Sequence, residues 1–115
     1  MSLRRAMETA IRQRVEQAAP GLVGDLWGRE RLTVLYPRLA MPRRDTRIEG
    51  QVEVWLLAET PEALPTDAVA GALIAPFEVT DGRQRARLWL ASIEERVDDL
   101  KVAARLVFDI TITED

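Results

Sequence analysis

Leu3, Met7, Ile11 and Val15 recur every four residues, with Ala6, Ala10 and Ala18 beside them. Positions four apart share one face of a helix, so this spacing predicts an amphipathic helix over 3–18. Arg4, Arg5, Glu8, Arg12, Gln13 and Glu16 form its polar face. Ser2 is a candidate N-cap, and Pro20-Gly21 ends the helix. A connector, 22–29, carries Trp27. The run Arg-Leu-Thr-Val-Leu-Tyr at 31–36 then predicts a short strand with Leu32, Val34 and Tyr36 on one face. Residues 37–46 read as a wet loop, because Pro37 and Pro42 cannot donate to a strand ladder and three arginines favour water.

A strict two-residue alternation begins at Arg47. Ile48, Val52, Val54 and Leu56 alternate with Arg47, Glu49, Gln51 and Glu53, which predicts a strand over 47–58. Gly50 is a candidate for a bulge or a bend. Trp55 and Leu57 make the second face apolar as well, the mark of a strand covered on both sides. Residues 59–76 hold the second helix. Pro65-Thr66 is its favoured start, Ala68, Val69, Ala72 and Leu73 are its buried stripe, and Pro76 ends it. Asp81-Gly82 marks a turn between 77–80 and 83–86. A strand over 85–96 sets Leu88 and Leu90 on one face and Trp89, Ala91 and Ile93 on the other. Asp98-Asp99 makes the next turn. The closing strand, 101–113, puts Val102, Ala104, Leu106, Phe108, Ile110 and Ile112 on one face.

The predicted order is α-β-β-α-β-β in a single α+β domain over 1–115. The expected architecture is an antiparallel four-stranded sheet, five-stranded if 77–80 joins it, with two helices packed on one face. That leaves the other face open unless a helix covers it too, and Trp55 and Trp89 fall on it.

Composition narrows the chemistry. The 115 residues include no cysteine and no histidine, which removes thiol nucleophiles, thiolate metal sites and the commonest general base. Lys101 is the single lysine among 16 basic residues, and the net charge is -3. No run approaches the roughly 20 apolar residues of a membrane span. Glu8 and Arg12 interrupt the basic N-terminus before a targeting segment could develop.

The hydroxyls of Ser2, Ser92, Tyr36 and the threonines have no histidine to activate them. Glu94-Glu95 and Asp98-Asp99 are carboxylate pairs, but strand neighbours point to opposite faces and the second pair lies in a turn. Gly21-Leu22-Val23-Gly24 lacks the Lys-Ser/Thr ending of a phosphate loop. These features predict no catalytic, cofactor or metal site. Two signals remain. Arg38, Arg43, Arg44 and Arg47 cluster within ten residues, which suits a solvated loop, a protein-docking loop or a DNA-facing loop. Trp55 and Trp89 suit a subunit interface or plain partial exposure.

Three segments carry a resemblance to a known family. They are the opening Met-Glu-Thr-Ala-Ile-Arg-Gln-Arg-Val at 7–15 with Ala-Pro-Gly-Leu-Val at 19–23, Gly-Gln-Val-Glu-Val-Trp-Leu-Leu-Ala-Glu at 50–59, and Ala-Arg-Leu-Val-Phe-Asp-Ile-Thr-Ile-Thr at 104–113. In order and length the chain resembles the tail terminator and minor tail proteins of long-tailed bacteriophages. The resemblance implies a non-enzymatic structural protein without cofactor, forming a ring, typically a hexamer. Such a ring caps the tail tube, joins it to the head connector and surrounds a lumen where it meets passing DNA. It would be assembled in the host cytoplasm and reside in the virion tail. The 37–46 loop is then a candidate for docking to tube or connector. The alternative expectation is a small dimeric ligand-binding or regulatory module.

Overall fold

The computed structural model describes residues 2–20, 25–26, 29–30, 32–40, 47–60, 64–98 and 101–114. Helix α1 spans Leu3–Ala18. The Ser2 hydroxyl accepts the Arg5 N–H at 3.2 Å, satisfying a donor that a first helical turn leaves without a partner. Leu3, Met7, Ile11 and Val15 are buried, as their spacing predicts. The connector after α1 carries a small hairpin of β1 (Asp25–Leu26) and β2 (Arg29–Glu30) that the sequence reading does not anticipate.

The main sheet is antiparallel throughout. It is built from β3 (Leu32–Ala40), β4 (Ile48–Ala58), β5 (Phe77–Asp81), β6 (Gln84–Asp98) and β7 (Lys101–Glu114). Its spatial order is β3-β4-β7-β6-β5, so the longest strands lie inside and β3 and β5 lie at the edges. The sheet therefore has five strands rather than four. The fifth, β5, buries Phe77 and Val79, and pairs with β6 through a tight turn in which Gly82 takes φ 60°, a conformation glycine adopts without a Cβ penalty. Helix α2 spans Thr66–Leu73, starting just after Pro65 as expected; Val69 and Leu73 are buried, but Ala68 and Ala72, expected in the same stripe, are exposed.

Both helices contribute to one core. Met7, Ile11, Val15, Val69 and Leu73 join Val52, Val54, Leu56, Ala104, Leu106, Phe108 and Ile110 in a single apolar cluster. Among the described residues no polar or charged residue is buried. Phe108, on the central strand β7, meets Phe77 edge-to-face at 6.1 Å between ring centroids.

Three further local expectations require correction. The segment 37–46 is not a loop from its start, because β3 continues through Pro37 to Ala40. The β3–β4 register shifts between Leu35 and Arg38, and this irregularity on an edge strand tolerates the missing proline N–H. Gly50 marks no bulge: it stays in register with both Leu39 and Ile110. The bulge lies instead in β6, between Leu90 and Ser92, where one extra residue exchanges the two faces of the strand. Ile93 consequently sits opposite Leu106, on the helix side, and not beside Trp89.

Tyr36 ties β3 to α1. Its hydroxyl lies 3.2 Å from the Arg4 carbonyl and 3.4 Å from a Glu8 carboxylate oxygen, and the Arg4 guanidinium lies 4.8 Å from the ring centroid. Burial, reinforced by the negative charge of Glu8, pushes the phenol up to about 12. The folded state thus holds the proton more tightly than the unfolded chain. The resulting stabilisation is complete below the ordinary value of 10.0 and disappears as pH rises through about 12. Tyr36 is the single tyrosine, so phenolate absorbance reads it directly. Half-ionisation is expected near pH 12 in the native protein and near 10 in denaturant.

Candidate functional site

The face of the sheet away from the helices is set by strand register. Residues directly opposed across an antiparallel ladder share a face. Trp55 lies opposite Thr33 on one side and Arg105 on the other, and Arg105 lies opposite Glu94. Glu53 is flanked by Leu35 and Val107, and Leu57 by Ala103, which faces Arg96. Trp89 lies opposite Asp109, itself opposite Gln51. Both tryptophans therefore stand on the open face, as the alternation of β4 and β6 predicts, and both are half-buried. The core cluster includes none of these residues.

The open face centres on an ion pair. Arg105 Nη2 donates to Glu53 Oε1, and the Trp55 indole N–H donates to Glu53 Oε2 at 3.1 Å. The Arg105 and Arg96 guanidinium groups lie 6.0 and 5.7 Å from the Trp55 ring, and Arg87 lies 5.2 Å from the Trp89 ring. Arg96 is itself held by Glu94 at 2.8 Å. Cations over indole faces are attracted by the ring quadrupole, and each such contact contributes roughly 0.5–1 kcal/mol when exposed. Two indoles overlain by arginines give a surface rich in the residue types that dominate protein-interface energetics.

The hydrogen bonds from Arg105, then from Trp55, hold the Glu53 carboxyl below its ordinary 4.5. Its contribution to stability is therefore full above 4.5 and is lost as pH falls through the lowered folded value. Glu53→Gln is expected to flatten the acid limb of a plot of denaturation midpoint against pH, relative to the unmodified chain.

Exposed apolar side chains gather at the sheet margins. Leu35 on β3 is 47% exposed, and Ile93 and Val97 on β6 are 36% and 73% exposed. Trp55, Leu57, Arg96, Val97, Lys101 and Ala103 line a shallow cavity of about 390 Å³ near the β6–β7 hairpin end.

The arginine cluster is placed in part. Arg38 pairs through its backbone with Gln51 on the β3–β4 ladder. Arg47, exposed, lies 3.6 Å from Glu49. Arg43 and Arg44 lie outside the described residues, as do Trp27 and the Gly21–Gly24 segment. Glu94 and Glu95 point to opposite faces, opposite Arg105 and Ala104, and form no shared carboxylate site. The Glu53–Arg105 pair escapes sequence reading because its members are 52 positions apart. The one available signal is the in-phase alternation of 47–58 and 101–113, once those strands are paired. No known family model matches the chain, and no curated protein sequence aligns with it significantly.

Proposed function

We propose that the chain is a structural assembly subunit that closes into a ring of the kind its resemblance to phage tail terminators implies. In this reading the ring sits in the virion tail, caps the tube and meets the head connector. It has no catalytic role. The observation that carries the reading is the open sheet face. Trp55 and Trp89 stand on it half-buried, clad in arginines, while the apolar core to which both helices contribute lies on the opposite side. The tube surface completes the burial that the helices complete on the other face. An interface of this kind needs roughly 1,000 Å² or more to persist.

The alternative, a small ligand-binding module that dimerises through its sheet, is favoured by the cavity beside Trp55, whose volume falls in the lower range of small-molecule sites. Mass measurement of the pure protein over a concentration series separates the two readings. A closed multimer with a central hole in negative-stain images is the expected result. Protomers at every concentration would contradict it, and a dimer would favour the module. The double substitution Trp55→Ala with Trp89→Ala is expected to weaken docking to the tail tube at least tenfold, since truncating a hot-spot tryptophan costs about 2 kcal/mol or more. The denaturant midpoint of the isolated protomer should move far less.

A further inference from the structure

The sheet has two unequal free edges. β5 covers only Gln84–Leu88 of β6, which leaves the outer side of Trp89–Asp98 without a strand partner among the described residues. At the other margin β3 pairs with β4 alone. Arg12 Nη2 donates to the Leu32 carbonyl at 3.3 Å, so the open run of β3 begins at Thr33. The two free runs are of similar length. Unpaired strand edges are templates for pairing with another chain.

Strand direction decides which edges can meet. Every pairing in the sheet is antiparallel, so β3, β7 and β5 run one way and β4 and β6 run the other. A second copy placed beside the first without turning it over brings its β3 antiparallel to the free run of β6. The helices of both copies then stay on one side and the open faces on the other. This is a head-to-tail contact, and such contacts close into a ring when the rotation between copies divides a full turn.

Charge and exposure favour the same arrangement. The β6 run carries Glu94, Glu95 and Asp98 against Arg96. The described β3 residues include one base, Arg38, and no acid. Leu35, Ile93 and Val97, three of the four exposed large apolar side chains among the described residues, lie on these two strands, Leu35 on the open face and Ile93 and Val97 on the helix side, so the contact would cover apolar surface on both sides of the continued sheet. Two β6 edges pairing about a two-fold axis would instead juxtapose two acidic runs. The register that sets Ile93 opposite Val97 would place Glu95 on Glu95.

We infer that a second copy of this chain docks its β3 edge against the free Trp89–Asp98 edge of β6, so that one antiparallel sheet continues from protomer to protomer. The inference rests on the ring reading and names its contact. The chain has no cysteine, which makes the test direct. Full-length Leu35→Cys and Ser92→Cys variants, both altered at exposed positions, are mixed and treated with a short bismaleimide. Thr33→Cys with Glu94→Cys provides a second pair, and circular dichroism checks each fold. Cross-linked dimer should be several-fold more abundant in the mixtures than in any single variant. Equal cross-linking of Ser92→Cys or Glu94→Cys alone would identify a two-fold contact and overturn the inference. Absence of cross-links in a protein that still measures as a ring would overturn this interface and leave the ring intact. If a Leu35→Cys/Ser92→Cys double variant gives a ladder without a terminal size, the edge contact stands and ring closure falls. Absence of cross-links in a protein that measures as a protomer would overturn both.

Discussion

Phe108→Ala is expected to destabilise the domain by about 3–5 kcal/mol, the range for truncating a buried aromatic to alanine. Phe108 has no solvent exposure and lies midway along β7, the central strand. Its neighbours across the ladder are Val52 on β4 and Leu90 on β6, and its ring meets Phe77 from β5. Truncation therefore removes transfer free energy and also leaves a cavity bordered by several strands, which regular ladders cannot easily close. A domain of this size has a total stability of roughly 5–15 kcal/mol, so the loss is a large share of it. Urea denaturation checks the value. Phe108→Leu, which keeps much of the volume, should lose less. A shift within about 0.5 kcal/mol for Phe108→Ala, the range of surface substitutions, would mean that this ring is not in the core.

Ile11→Asp should have an even larger effect and is expected to prevent folding at neutral pH. Ile11 is fully buried on the inner face of α1, in a cluster without a buried polar residue among those described. A carboxylate there would lack a counter-charge and hydrogen-bond donors. Desolvating it costs several kcal/mol, and the apolar packing of the isoleucine side chain is forfeited as well. Gln13→Asp changes charge on the same helix at an exposed position, and is expected to stay within about 0.5 kcal/mol of the parent. Circular dichroism and urea midpoints for the pair isolate burial from helix propensity. Native-like folding of Ile11→Asp at neutral pH would show that α1 does not seat against the sheet as described.

The elements with long, regular periodicity were legible in the sequence. The four-residue spacing of Leu3, Met7, Ile11 and Val15 identifies α1 and its buried face, and the alternation from Val102 to Ile112 identifies β7 and its inner side. Both signals persist because each element buries one continuous face in one core. The departures arise where a single residue breaks that continuity. The bulge between Leu90 and Ser92 moves Ile93 to the helix side, a change that composition does not mark. Pro37 reads as a strand breaker, yet an edge strand with a local register shift accommodates it. β5 is too short for its alternation to be distinctive, although Phe77 and Val79 carry it.

The candidate surface was legible in outline only. Alternation along β4 and β6 places Trp55 and Trp89 on the outer face. The geometry that clothes them depends on the pairing of β4 with β7 and of β7 with β6, and that pairing fixes Glu53, Arg105, Glu94 and Arg96 as neighbours. The free edges depend on sheet order, because the exposed run of β6 exists only through the shortness of β5.

Backbone hydrogen exchange, measured on dilute and concentrated protein, tests most directly whether this sheet is completed by other copies of the chain. On assembly, amides with outward-pointing N–H groups in β3 and in Trp89–Val97 of β6 should slow markedly, while those inside the β4–β7 ladder should change little. If the two edges exchange at the same rates at every concentration, including conditions where the protein sediments as a multimer, the sheet edges are not the assembly surface.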